Sequence, residues 1–378
     1  MTGIGMIQTS LVFQQSGWLP VTLFFALFMV ISSLCALFMV EAMQAIPGNR
    51  YFQGHVEFGT LINFYFGSTA HMIGQFSLYG ALEVIAVGSI IQSSQTMDNL
   101  LIDIFGRTCG VSMGITSGSN ATALSWFCVD SHGDSISPFG NEYMILTQGL
   151  LIVAIVIIPQ CIVPLSEVLW IQVICFGVTL CVFLEWIVAS CVNGLHMEYV
   201  PVMHGQVSGY AGLVGTVMLN YAFVQTVPSW VNVRRPDVNI QQSIWISSFA
   251  GFVCYILTGL LPALAYLIPE GSNLIAVLTT NGGMVNKVFG YLFSLMVLMM
   301  SVPVLLIVAK LNLDQNFEMQ SGVSTFLAQV VPWILCIPFL TGTYLTEINN
   351  WGSLVFVSVA NFVVPLLIYL RAVEFRKS

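Results

Sequence analysis

The chain has 378 residues, of which 57% are hydrophobic and 7% charged, and a formal net charge of -8. Soluble domains carry roughly 25% charged residues, so this composition excludes a soluble globular fold and describes a polytopic membrane protein. No face is basic enough for a nucleic-acid partner, and no phosphate-binding glycine loop, H-E-x-x-H, C-x-x-C pair or nucleophile elbow marks an enzyme.

In chain order, the opening piece TGIGMIQTSLVFQQSGWLP is apolar over 3–16, too short to span, and follows no cleavable signal. It reads as half a helix, with Gly3 and Gly5 expected to free backbone amides and carbonyls around an unwound turn. Nine nearly uncharged runs of spanning length follow, at 19–39, 71–94, 144–165, 168–192, 209–230, 244–268, 288–309, 326–345 and 351–370. With the half-helix counted first, the even-to-odd connections and the C-terminus hold Arg50, Arg234, Arg235, Lys310, Arg371, Arg376 and Lys377, against Arg107 and Lys287 on the other side. That asymmetry predicts cytoplasmic even-to-odd connections and C-terminus. The long connection 95–142 then lies outside, where Asn120-Ala121-Thr122 is a glycosylation sequon and Cys109 and Cys128 are candidates for a disulfide. The alternative is an unused sequon and two free thiols; the other seven cysteines are expected to be packing residues.

Polar residues inside the spans are the candidates for function. Glu83, about twelve residues into the third span, lies roughly 18 Å deep at 1.5 Å per residue, where an ionised carboxylate needs a partner or a cavity. Tyr79 and Gln75 share its helix face, with His71 a turn further along, so the stripe reads either as a proton-accepting, substrate-facing wall or as a structural contact to another helix. Glu185, beside Trp186, reads as an interfacial anchor, with a coupling site as the alternative. In the sixth span, GLVGTVMLNYAFVQTVP places Asn220 and Tyr221 at mid-membrane between Gly212, Gly215 and Pro228. This pattern predicts a broken helix lining a site, with a kinked, tightly packed helix as the alternative. In the eighth span, Ser294 and Ser301 fall on one face beside Pro303 and are candidate sodium ligands, or hydroxyls bonded back to their own helix.

Gly3, Met6, Ile7 and Gln8 align with Gly215, Met218, Leu219 and Asn220, five spans apart, the offset of an inverted repeat with halves 3–192 and 209–370. Gly3-Ile4-Gly5-Met6 with Phe13-Gln14-Gln15-Ser16-Gly17-Trp18 resembles the first-helix signature of the amino acid/auxin permease family. Glu41 to Asn49, Glu57-Phe58 and Tyr65-Phe66-Gly67 are similar to that family's second-to-third helix segment, Tyr221-Ala222-Phe223 with Val227-Pro228 to its broken sixth helix, and Ser301-Val302-Pro303 to its eighth. Ser10 departs from a frequent proline, and the family's eleven spans and N-terminal tail predict that this chain is a truncated gene product or a degenerate copy.

The resemblance implies a single amino acid transporter transmembrane domain over 1–378: an all-α polytopic membrane protein with a LeuT-like five-plus-five inverted repeat and discontinuous first and sixth helices. It implies amino acid as substrate, proton or sodium as coupling ion, no other cofactor and no bound metal. The bilayer is its partner, in the plasma membrane or a vacuolar or lysosomal membrane. Expected substrate-binding residues are Gly3, Ile4, Gly5, Met6, Tyr79, Glu83, Asn220, Tyr221, Ala222 and Phe223; expected ion-coupling residues are Glu83, Ser294 and Ser301. The rival expectation is a sensor that binds amino acid in the same pocket and signals without completing transport.

Overall fold

The computed structural model describes residues 3–115, 122–132, 136–140, 142–163, 165–205, 210–269, 272–317, 320–342 and 344–377. Helices dominate because apolar runs in lipid must satisfy their own backbone. The first half holds α1 (Gly3–Ser16), α2 (Trp18–Ala45), α3 (Phe58–Phe105), α4 (Gln148–Ile162) and α5 (Leu165–Asn193). The second holds α6 (Ala211–Asn220), α7 (Val227–Val233), α8 (Ile240–Ala265), α9 (Leu274–Asn281), α10 (Met284–Phe317), α11 (Ser321–Thr325), α12 (Val331–Cys336), α13 (Tyr344–Gly352) and α14 (Val364–Lys377). Among the described residues seven helical segments are long and apolar enough to cross a bilayer, which makes the protein membrane-embedded.

Contacts between connections define two ends. At one, Trp18 and Leu19 donate to Pro201 and Val202, His196 to Leu264, and Gly342 to Gly140. At the other, Tyr65 donates to Ala42, Arg376 pairs with Glu41, and Asn232 bonds Val56. Arg50, Arg234, Lys310 and Arg371 belong to this second, basic end, whereas Lys287 and Arg107 lie at the first, beside Asp103 and the Cys109–Cys128 pair.

Two expectations need correction. The third span, expected to end at 94, continues as α3 to Phe105, and β1 (Thr108–Ile115), β2 (Thr122–Val129) and β3 (Met144–Thr147) form an antiparallel sheet in the order β2-β1-β3. The membrane-spanning part remains all α, as expected, and the sheet belongs to the connection; the expected start of a span at 144 is a strand. Short β-branched and aromatic alternation in T-C-G-V-S-M-G-I and T-A-L-S-W-F-C-V fits a half-buried sheet. Cys109 and Cys128 face each other across β1 and β2 and are joined by a disulfide. Asp98 ties the sheet to the helices, accepting from Thr108 Oγ1 and Gly149 N, each at 2.8 Å. Asn120 lies outside the described residues.

The third helix also begins earlier than hydropathy suggests. Gly67, at φ 78, breaks α3 into a short limb, 58–66, and a long one, a conformation that favours glycine. The short limb folds back on the long one, so that a Cβ at Gly74 would lie 2.3 Å from Ile62. In the second half, α9 folds back on α10 after Gly282-Gly283, and Gly290 faces Thr279 and Ile275. The core comprises two apolar clusters, one around Leu82, Ile85, Leu219, Ala222 and Leu306, the other around Met6, Phe13, Phe25, Trp186, Tyr221 and Phe293.

Candidate functional site

The sixth span is broken where its sequence is least suited to a helix. α6 stops at Asn220; Tyr221 leaves helical geometry at φ -103, ψ 19, a 3-10 turn covers Val224–Thr226, and Pro228 opens α7. Proline suits a first turn because its missing N–H is not needed there. The Asn220 carbonyl, freed by the break, accepts from the Tyr255 hydroxyl at 2.8 Å. The Gln225 amide N–H donates to Asn361 Oδ1 at 3.1 Å, and Asn361 Nδ2 donates to Gln225 Oε1 at 3.3 Å. A neighbouring helix thus satisfies part of the unwound backbone, as buried non-helical segments require. The break lies where the two clusters meet: Tyr221 belongs to one, Ala222 to the other, and Phe223 packs against both.

α1 closes one side of the break through a close approach. A Cβ at Gly5 would fall 2.6 Å from Asn220 Oδ1, so only glycine lets the amide lie against this backbone. Asn220 Nδ2 donates to Thr9 Oγ1 at 3.3 Å, and Thr9 donates on to the Gly5 carbonyl at 2.9 Å. Asn220 Oδ1, the Tyr221 hydroxyl and Gln225 Nε2 are buried without a hydrogen-bond partner among the described residues. Buried polar atoms left unpaired are costly, and three of them at one helix break form a set of acceptors and donors available to a polar ligand.

The expected unwound turn in the first helix is absent: residues 3–6 are helical. Gly5 serves close packing on Asn220, so its missing side chain, not its backbone freedom, is what the position uses. Met6 is buried in the cluster containing Tyr221, and the surroundings of Gly3 and Ile4 lie outside what is described.

The structure does not gather Tyr79 and Glu83 with this group; they face the helical segment running through α12. The Tyr79 hydroxyl donates to the Leu327 carbonyl, and one turn beyond Glu83 the Cys336 sulfur lies 3.7 Å from the Val87 carbonyl. Although Tyr79 also lies within range of the carboxylate, its proton is directed to Leu327. Both Glu83 oxygens are buried without a hydrogen-bond partner among the described residues, at 7% residue exposure. Lower on the same face, Gln75 meets His71 at 3.4 Å.

The two serines also separate. Ser301 donates to its own helix at Val297 O, 2.8 Å away, the back-bonded alternative. Ser294 Oγ is buried without a partner among the described residues, and the Ser294 carbonyl accepts from Ser93 of α3 at 3.4 Å. Trp186 is no interfacial residue: it packs in the core, its ring tilted at 47° to that of Phe293 with centroids 4.7 Å apart, while Glu185 beside it is half-buried.

Sequence reasoning missed a contact that positions the lower half of the broken helix. Glu57, 2% exposed at the N-terminus of α3, accepts from Ser229 and, at 2.9 Å, from Asn232 Nδ2. Asn232 also accepts from Val56 N and donates to Val56 O. Burial pushes the Glu57 carboxyl above its usual range, with Ser229, Asn232 and His55 pulling it part of the way back. Asn232→Ala leaves these groups unpaired and is expected to cost about 2 to 3 kcal/mol. Asn232→Asp should lower the melting temperature more at about pH 8 than at about pH 5, since two carboxylates repel only when both are ionised. Equal melting of Asn232→Ala and the unsubstituted protein would remove this contact from the account.

Below the break, toward the basic end, a cavity of about 340 Å³ is lined by Phe223, Thr226, Trp230, Gln172, Ser247 and Val304 among others. A second, of about 460 Å³, shares Ser229 and Val233 with it and reaches Glu57, Lys310 and Asp314. At the opposite end Gln14 bonds Ala263 O and Tyr266 O at 2.7 and 2.8 Å, and Asp103 gathers His132, Lys287 and Tyr291. Neither a protein-family model nor a curated protein matches the chain.

Proposed function

We propose that the protein is a secondary carrier that moves amino acids across a membrane by cation-coupled alternating access. The observation that carries this reading is the interrupted sixth helix, with Gly5 of α1 pressed against Asn220 and three unpaired polar atoms at the break. Unwound backbone at membrane depth is characteristic of carrier sites, where freed amides and carbonyls can receive a substrate carboxylate and ammonium group. Asn220, Tyr221, Ala222, Phe223, Gly5 and Met6 are the proposed lining.

The two halves support an inverted repeat. Each places a short helical piece before its third crossing, at opposite ends of the bundle, and the glycine spacing recurs: Gly67 to Gly74 and Gly283 to Gly290. One cavity reaches Phe223 from the basic end while polar contacts close the other, an arrangement suited to one state of an alternating-access cycle.

Uptake of labelled amino acid into liposomes containing the full-length protein tests the proposal. Binding without accumulation or exchange would replace the carrier by a sensor. The orientation follows from the basic asymmetry: Asn120 should be glycosylated in microsomes, and a tag after Ser378 should be digested from the cytoplasmic side. A protected tag overturns that orientation.

A further inference from the structure

At the basic end, three arginines converge without counter-charges. Arg371 pairs with Glu374 and Arg376 with Glu41, but Arg50, Arg234 and Arg235 make no ion pair among the described residues. Arg50 and Arg234 line a cavity of about 520 Å³ with Gln44, Tyr51, Phe52 and Asn232, and no carboxylate contributes to its wall. Arg234 Nε is buried without a hydrogen-bond partner among the described residues. Its terminal nitrogen donates to Arg235 O at 3.1 Å, which fixes the guanidinium's place and leaves the inner N–H unused.

The cavity wall is held in an unfavourable backbone conformation. Phe52 has φ 57, uncommon for a bulky residue and tolerated where surroundings impose it. Asn49 imposes it: its carbonyl accepts from Phe52 N, its Oδ1 from Gly54 N, and its Nδ2 donates to Met43 O, each at 3.0 Å. The Phe52 ring consequently sits 4.9 Å from the Arg234 guanidinium, and the Tyr51 ring 5.9 Å from that of Arg50.

Arg234 also borders a second space, of about 410 Å³, whose walls are mainly apolar: Trp170, Val173, Trp230, Val233 and Val238. Trp170 and Val173 are 72% and 62% exposed on α5, which places this groove at the lipid-facing side. A polar, cationic cavity and an apolar groove therefore share one arginine at the end of the membrane-spanning bundle. Glu167 and Asp237 are nearby in sequence, exposed, and paired with none of the three arginines among the described residues.

We propose that this is a binding site for an anionic phospholipid. Its phosphate occupies the Arg50–Arg234 cavity, and an acyl chain lies along the Trp170–Val173–Trp230 groove. Guanidinium groups recognise phosphate oxygens through directed N–H donors, and basic pockets beside transmembrane helices bind phosphorylated headgroups on these grounds. The groove selects a lipid over a free phosphate, because only a lipid covers both spaces. The inference needs the protein to be in a membrane and does not depend on what it transports.

The test is native mass spectrometry and thermal shift of the full-length protein in detergent. The probes are dioctanoyl phosphatidylinositol phosphate, dioctanoyl phosphatidylcholine and soluble inositol bisphosphate. The phosphorylated lipid should be retained at least about tenfold better than phosphatidylcholine, and Arg50→Gln should weaken retention about fivefold, the factor for about 1 kcal/mol per basic residue near an anionic surface. Arg234→Lys should keep part of the binding and Arg234→Gln lose more, while Arg371→Gln, whose partner is Glu374, should change nothing. Trp170→Ser should weaken the lipid but not the soluble headgroup. Equal stabilisation by lipid and headgroup would make this a soluble-phosphate site; equal retention of the two lipids, or no effect of the exposed Arg50→Gln, would overturn it.

Discussion

Gly5→Leu is expected to abolish uptake while the protein still inserts. Even the first atom of a side chain there lies 2.6 Å from Asn220 Oδ1, and Asn220 is held by Thr9 and by the Thr216 carbonyl at 3.0 Å. Overpacking of this kind costs about 1 to 3 kcal/mol, which at the upper end displaces an equilibrium by about a hundredfold. Because α1 carries Met6 into the same cluster as Tyr221, the displacement acts directly on the proposed site. Gly5→Ala should be milder, and Gly5→Ala combined with Asn220→Ala should recover thermal stability, because the clashing amide is gone, without recovering substrate affinity. That split between melting temperature and KM in proteoliposomes separates a substrate-facing amide from one that only packs. Undiminished transport by Gly5→Leu would mean that the substrate does not bind between α1 and the break.

How far the sequence reveals this arrangement depends on whether the signal is local. The break in the sixth helix is local: Asn220, Tyr221 and Pro228 interrupt an apolar run, and the chain departs from helix at Tyr221. The glycines at the start were misleading because the same residue type serves two purposes, backbone freedom and close approach, and only a partner 215 positions away (220 minus 5) reveals which applies at Gly5. The early start of α3 escaped hydropathy because the limb 58–66 is packed against 68–76 and the neighbouring helices by side chains as varied as Ile62, Thr60 and Tyr65. The contact of Glu57 with Ser229 and Asn232 joins residues more than 170 positions apart, and no spacing rule reaches that far. Glu83 was legible as a buried carboxylate, but not the helix it faces, since any of several neighbours can pack on a midplane residue.

Glu83→Gln is expected to preserve exchange of substrate and to eliminate accumulation driven by a pH gradient. The carboxyl is buried, neither oxygen holds a hydrogen bond among the described residues, and the nearby Tyr79 proton is directed to Leu327. An ionised carboxylate in such a place costs several kcal/mol unless a cation, a donor or water reaches it. A proton is the cation that needs no preformed ligand shell, so a cycle exposing Glu83 alternately to the two sides can carry one with each substrate. One coupled proton supports an accumulation ratio of about tenfold per pH unit of gradient; glutamine, which cannot release a proton, reduces that ratio to about one while leaving exchange intact. The sodium alternative draws on Ser294 and Ser301, but Ser301 donates to Val297, and of Ser294 only the hydroxyl is unpaired among the described residues, its carbonyl accepting from Ser93 of α3. If sodium nevertheless couples, Ser301→Ala should raise the sodium requirement and Glu83→Gln should leave the pH response unchanged. Uptake driven by a sodium gradient at constant pH, and equally strong in Glu83→Gln, would assign coupling to the serines and leave Glu83 a packing residue against α12.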